Sequence, residues 1–167
     1  YSNLEVFDSG NSVLISSFSG TLTFISNSGS KIRVKNIIES LPVEYERNII
    51  SAVDGENMVI LFSEPNSEYS VIQKYSSSGN RESEIKVETK NINGIAFSQK
   101  LNQIFLSYSE WTNEDKPTKR VSIINGNGKE LKNFEVNFEK GFFTENNQFI
   151  GYSNKSVFSI NTQTMGL

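Results

Sequence analysis

Short apolar runs, each introduced by a polar turn-forming cluster, recur along this chain at a nearly fixed spacing. An Asn leads into Ser12-Val13-Leu14-Ile15, Met58-Val59-Ile60-Leu61-Phe62, Gln103-Ile104-Phe105-Leu106 and Gln148-Phe149-Ile150-Gly151-Tyr152. The leading residues Asn11, Asn57, Asn102 and Asn147 stand 46, 45 and 45 positions apart. A period of this length marks a repeat architecture in which each copy is one supersecondary unit. Turn formers return every 8–12 residues, and β-branched and aromatic residues fill the intervals, so the units are built of strands.

Each unit reads as four strands, A to D. The A strands are Leu4–Phe7, Ile49–Val53, Gly94–Phe97 and Gly141–Phe143, and the B strands are the apolar runs. Such continuous apolar character predicts strands covered on both faces. The C strands are Thr21–Ile25, Tyr69–Tyr75, Arg120–Ile124 and Ser156–Ile160. The first three run into Gly-containing turns, of which Asn125-Gly126 is the strongest hairpin signal. The D strands, Lys31–Val34, Glu84–Val87 and Lys129–Val136, carry the most charge, as an outer edge strand should. The segment Ile37–Asn48 reads as a long connection with one helical turn at most, since Pro42 interrupts it.

The predicted fold is therefore all-β, with antiparallel four-stranded units at about 1–46, 47–91, 92–138 and 139–167. The last has no clear D strand. Repeats of this length made of strands correspond to propeller blades. The favoured arrangement is a partial ring or arc of a larger propeller, completed by a further chain or segment. A small four-bladed ring and a ring built of two chains are the alternatives.

The segments Ser16 to Gly29, Ser63 to Gly79, Ser107 to Gly128 and Ser153 to Gly166 carry a phrase of apolar strand, aromatic-rich strand and Gly turn. In this the chain resembles the β-propeller class, with the flavour of the divergent bacterial TolB-like and NHL-like groups. The likeness is one of pattern. Trp111 is followed by Thr112, so the Trp-Asp ending of WD repeats is missing, as are the kelch Gly-Gly pair and the sialidase Asp box. The resemblance implies a fold and carries no functional residue.

Composition narrows the chemistry. With 16 Lys plus Arg against 19 Asp plus Glu, the net charge is −3, and no basic stripe is present to meet a phosphate backbone. No nucleic-acid partner is expected. The absence of both Cys and His removes thiol and imidazole catalysis and the metal sites built on those ligands. No cofactor and no metal are expected. No apolar run reaches the length of a membrane-spanning helix. A secreted, periplasmic or cell-surface location is the expected one. The tripeptide Asn154-Lys155-Ser156 has the form of an N-glycosylation acceptor, a pattern that arises readily in a chain this rich in Asn and Ser.

The B–C connections vary most, and variation on a constant frame is where binding resides. The longest, Tyr108 to Lys119, holds the only Trp beside several charges. The candidate binding residues are Trp111, Glu110, Glu114, Asp115 and Tyr108, with Glu64 and Glu68 one unit away. An exposed Trp can stack on a sugar or anchor a protein contact, and the same residue can fold back as packing. The four leading Asn residues are expected to bond local backbone where each turn enters its B strand. The reading leans away from an enzyme. It favours a non-catalytic module or scaffold that binds protein or carbohydrate. Two alternatives stand beside it: a fragment of a propeller-containing enzyme whose catalytic groups lie elsewhere, and a structural segment of a secreted or surface assembly.

Overall fold

The computed structural model describes residues 2–37, 49–63, 69–88, 91–111, 116–153 and 156–166. Among them there are strands and no helix. Sheet I contains β1 (Ser2–Val6), β2 (Ser12–Ser16), β3 (Thr21–Ile25) and β4 (Lys31–Asn36). Sheet II contains β5 (Ile49–Asp54), β6 (Asn57–Ser63), β7 (Ser70–Ser76) and β8 (Arg81–Val87). Sheet III contains β9 (Ile92–Ser98), β10 (Gln103–Glu110), β11 (Thr118–Asn125) and β12 (Glu130–Phe134). Sheet IV contains β13 (Lys140–Phe143), β14 (Gln148–Ser153) and β15 (Ser156–Asn161). Every sheet is an antiparallel meander of consecutive strands. The predicted A-to-D strands fall on these elements within a few residues. The segment expected to hold a helical turn lies, from residue 38 to 48, outside the described residues.

The chain forms two compact units, Tyr1–Glu88 and Thr89–Leu167. In the first, alternation along β2 and β3 aims Val13, Ile15, Leu22 and Phe24 at one face of sheet I. They bury against Met58, Ile60 and Tyr75 of sheet II. Phe24 and Tyr75 meet as tilted rings with centroids 5.8 Å apart. The expectation of two covered faces holds for β6, whose residues Asn57–Phe62 are all buried. It does not hold for β2. Leu14 lies on the opposite face of sheet I beside its partner Leu4, and both are exposed, as are Val6 and Val34.

The core of the second unit is aromatic. Phe149 of β14 packs within 4.5 Å of Phe105, 5.0 Å of Phe138 and 5.2 Å of Phe143, centroid to centroid. Two strand glycines make room for these rings. A Cβ at Gly141 would stand 2.3 Å from Phe149 Cζ, and one at Gly151 would stand 2.5 Å from Phe158 Cζ. Glycine in a strand interior marks such close approaches.

The C–D turns of sheets I, II and III share one geometry. Ser26, Ser76 and Asn125 each donate their backbone N–H to the carbonyl four residues on, at Ser30, Asn80 and Lys129. The residue before each acceptor, Gly29, Gly79 or Gly128, has positive φ, and a bulge follows in the ladder. This is the three-residue hairpin loop in which a type I turn ends on a left-handed residue. The Asn125-Gly126 signal thus marks a real hairpin, but the left-handed residue is Gly128 rather than Gly126.

The four leading Asn residues are not equivalent. Asn102 and Asn147 themselves hold positive φ in the A–B turns, whereas Gly10 and Gly55 do so in sheets I and II. Asn11 follows its left-handed glycine, and its Oδ1 accepts the backbone N–H of Asn27 in the C–D turn, 3.0 Å away. The bond therefore reaches across to the neighbouring turn rather than to the backbone at the strand entry. The amide of Asn102 lies against Gly126, likewise in its own sheet's C–D turn.

Candidate functional site

In the first unit, a groove of about 800 Å³ runs between the end of β4 and the face of sheet II. Its position follows from strand alternation. Val71, Gln73 and Tyr75 fall on one face of β7, opposite Phe62, Ile60 and Met58 of β6. On the other side they pair with Lys86, Glu84 and Arg81 of β8. The far wall is Val34, Lys35, Asn36 and Ile37, and Tyr69 also lines the groove.

A polar relay crosses this face. The Tyr75 hydroxyl donates to Gln73 Oε1 at 2.7 Å. Gln73 Nε2 donates to Glu84 Oε2 at 2.8 Å, and Arg81 Nη1 donates to the same oxygen at 3.0 Å. Tyr75 and Gln73 are buried, whereas Arg81 and Glu84 are exposed. The relay satisfies both ends of the Gln73 amide and so fixes which end donates. Burial raises the Tyr75 pKa. Arg81 pulls it down and Glu84 pushes it up, and burial is the largest of the three. The phenol is therefore neutral across the physiological range and acts as a donor.

The electrostatics of the lining are cationic. Lys35, Arg81 and Lys86 face a single carboxylate, Glu84, which already accepts from Arg81 and Gln73. Tyr69 adds an exposed aromatic ring, and the buried Phe62 lies beneath the groove. Such a site can hold a polar, anionic molecule against a ring. Among the described residues, no group of three His, Cys, Asp or Glu is placed to hold a metal ion.

The residues singled out by sequence lie in the second unit or outside the described residues. Tyr108 and Glu110 belong to strand β10 rather than to a loop, because the β10–β11 pairing continues to Glu110 opposite Thr118. The Tyr108 hydroxyl accepts from Asn133 Nδ2 at 2.8 Å. Glu110 ion-pairs with Arg120 at 2.9 Å, and Arg120 also reaches Glu135 at 3.3 Å. Trp111 follows directly and is 67% exposed. Glu114, Asp115, Glu64 and Glu68 lie outside the described residues, as does Asn154 of the glycosylation tripeptide. The structure thus brings Tyr108, Glu110 and Trp111 to one end of the β10–β11 hairpin. The groove is not legible in the sequence, and its one signal is Gln73, a polar residue between Val71 and Tyr75 on one face of a C strand.

Among the described residues, fold and lining define an all-β repeat scaffold of three four-stranded and one three-stranded antiparallel sheets, with an open polar groove in its first unit. No protein-family model and no curated protein matches the chain. Among solved structures, it is similar to the crystal structure of a protein of unknown function from Bacteroides caccae. The match has a TM-score of 0.64 and 14% identity, over 97% of this chain and 57% of that one. At this identity the likeness is one of fold. The chain spans little more than half the length of that protein.

Proposed function

We propose that this chain is a non-catalytic binding module on propeller-type blades, and that its groove holds a carbohydrate bearing carboxylate or sulfate groups. The observation that carries this reading is the lining of the groove. The exposed ring of Tyr69 stands beside three cationic side chains, and the half-buried Tyr75–Gln73–Glu84–Arg81 relay holds the polar floor in place. Pre-set polar groups beside an aromatic platform are what saccharide binding requires. The relay ends in groups that are already hydrogen-bonded, which suits holding a ligand better than transforming one. A second reading places a protein contact at Trp111, favoured by the exposure of that indole beside the Glu110–Arg120–Glu135 ion pairs.

An array of neutral and acidic glycans probed with labelled protein tests the groove reading and shows whether the glycan site lies at the Trp111 hairpin instead. The groove reading expects acidic glycans to be retained, with Tyr69→Ala losing signal and Trp111→Ala keeping it. Loss on Trp111→Ala alone transfers the site to the hairpin. Wild-type protein that retains no glycan defeats the carbohydrate reading.

A further inference from the structure

Among the described residues the last sheet has three strands, and the backbone beyond its third strand already turns back alongside it. The Asn161 N–H donates to the Gly166 carbonyl at 2.9 Å. The two residues form an antiparallel bridge. The residue before Gly166 is Met165, which holds φ of 52°. A first residue donating to a closing carbonyl, with a left-handed residue just before that carbonyl, is the arrangement of all three C–D turns described above. Their first residues also accept turn N–H groups through the side chain. Ser26 Oγ accepts from Ser30 at 3.1 Å, Ser76 Oγ from Asn80 at 3.3 Å, and Asn125 Oδ1 from Asn127 and Lys129 at 3.0 Å each. Asn161 Oδ1 does the same for Gln163 and Thr164, at 3.0 and 3.1 Å. The fourth turn is one residue longer, and it shares with the others the closing bond, the left-handed residue before it and the side-chain acceptor at its first residue.

From this we infer that Asn161–Gly166 is a C–D hairpin turn, and that the outer edge of β15 is the seat of a fourth, antiparallel strand continuing from Gly166. Burial supports the open edge. The C strands that carry a D strand bury two of five residues in β3, four of seven in β7 and four of eight in β11. In β15 only Ile160 is buried, and Val157 is 73% exposed. The register is set by the Asn161–Gly166 bridge, so the incoming residues run past Ile160 toward Ser156. The occupant should have the chemistry of β4, β8 and β12, with charged residues interspersed among apolar ones.

The test extends the chain beyond Leu167 with a copy of residues 131–136, which follow the corresponding turn in sheet III. A matched extension carries prolines at alternate positions, because proline cannot donate to a ladder. Amide hydrogen exchange is read at β15. The copied strand is expected to slow exchange of the β15 amides that do not bond to β14 by tenfold or more, relative to the proline extension. Equal exchange in the two extended chains would overturn the inference. So would protection of those amides in the 167-residue chain that grows with its concentration, since a second copy would then occupy the edge.

Discussion

The carboxylate of Glu56 in the β5–β6 turn receives both the backbone N–H of Ser9, at 2.6 Å, and its hydroxyl, at 2.8 Å. Ser9 lies in the β1–β2 turn, so this pair ties equivalent turns of two successive sheets. A third tie is the Asp8 N–H bonded to the Gly55 carbonyl. Hydrogen bonds from Ser77 first, and then from Ser9, hold the Glu56 pKa below its ordinary value. A depressed carboxylate contributes stability that is present above its unfolded pKa and lost as pH falls through the folded one. Carboxyl NMR titration should therefore place Glu56 below the ordinary glutamate range. Ser9→Ala should move it upward without full return, because Ser77 and the backbone N–H of residue 9 remain. An unchanged midpoint in that variant would show that the Ser9 hydroxyl bond does not persist in solution.

Tyr75 gives the opposite end of the pH scale. Its pKa is raised by burial, so the phenol stays neutral in the folded state after an unfolded tyrosine would have ionised. Its contribution to stability is complete below the ordinary tyrosine value and is lost as pH rises from there through the folded value. Spectrophotometric titration near the phenolate band should show a tyrosine ionising above the ordinary phenol value. Tyr75→Phe should remove that late step and leave the Gln73 carbonyl without its donor. We expect it to cost about 1–3 kcal/mol in denaturant unfolding, the range for a buried polar group left unsatisfied.

Gly94 tests the packing of the second unit. A Cβ there would stand 2.6 Å from the Phe138 carbonyl oxygen and 3.1 Å from its ring. The contacting oxygen is backbone and cannot swing aside, so Gly94→Ala should cost about 1–3 kcal/mol, as overpacking does. Gly29→Ala has open space but a φ of 84°, so its cost should be about 1 kcal/mol of left-handed strain alone. Chemical denaturation of the two variants separates steric from conformational cost. Equal, small losses would contradict the described packing around Phe138.

Most of the strand pattern was legible in the sequence because turn chemistry is local. Gly29, Gly79 and Gly128 each announce a hairpin within a few residues of its true position. The equivalence of the four Asn residues was not legible. Gly10, Gly55, Asn102 and Asn147 all provide left-handed conformations, and sequence spacing alone does not tell a left-handed Asn from one that follows a left-handed Gly. The hairpin turn at Asn161 was hidden for a related reason, since Met165 fills a position that glycine marks elsewhere. The groove was least visible, because its walls come from β4 and β8, far apart along the chain. Trp111 stood out by being unique, whereas Gln73 acts only through the Tyr75 and Glu84 side chains that pairing places beside it.

Amide chemical-shift mapping tests the central claim most directly. The protein is titrated with the acidic glycan that gives the strongest array signal. The groove account predicts progressive shifts at Lys35, Tyr69, Gln73 and Lys86, weakening as salt screens the cationic lining, with the Trp111 indole unmoved. Shifts confined to the Trp111 hairpin, or groove amides that stay in place at saturating glycan, would contradict it.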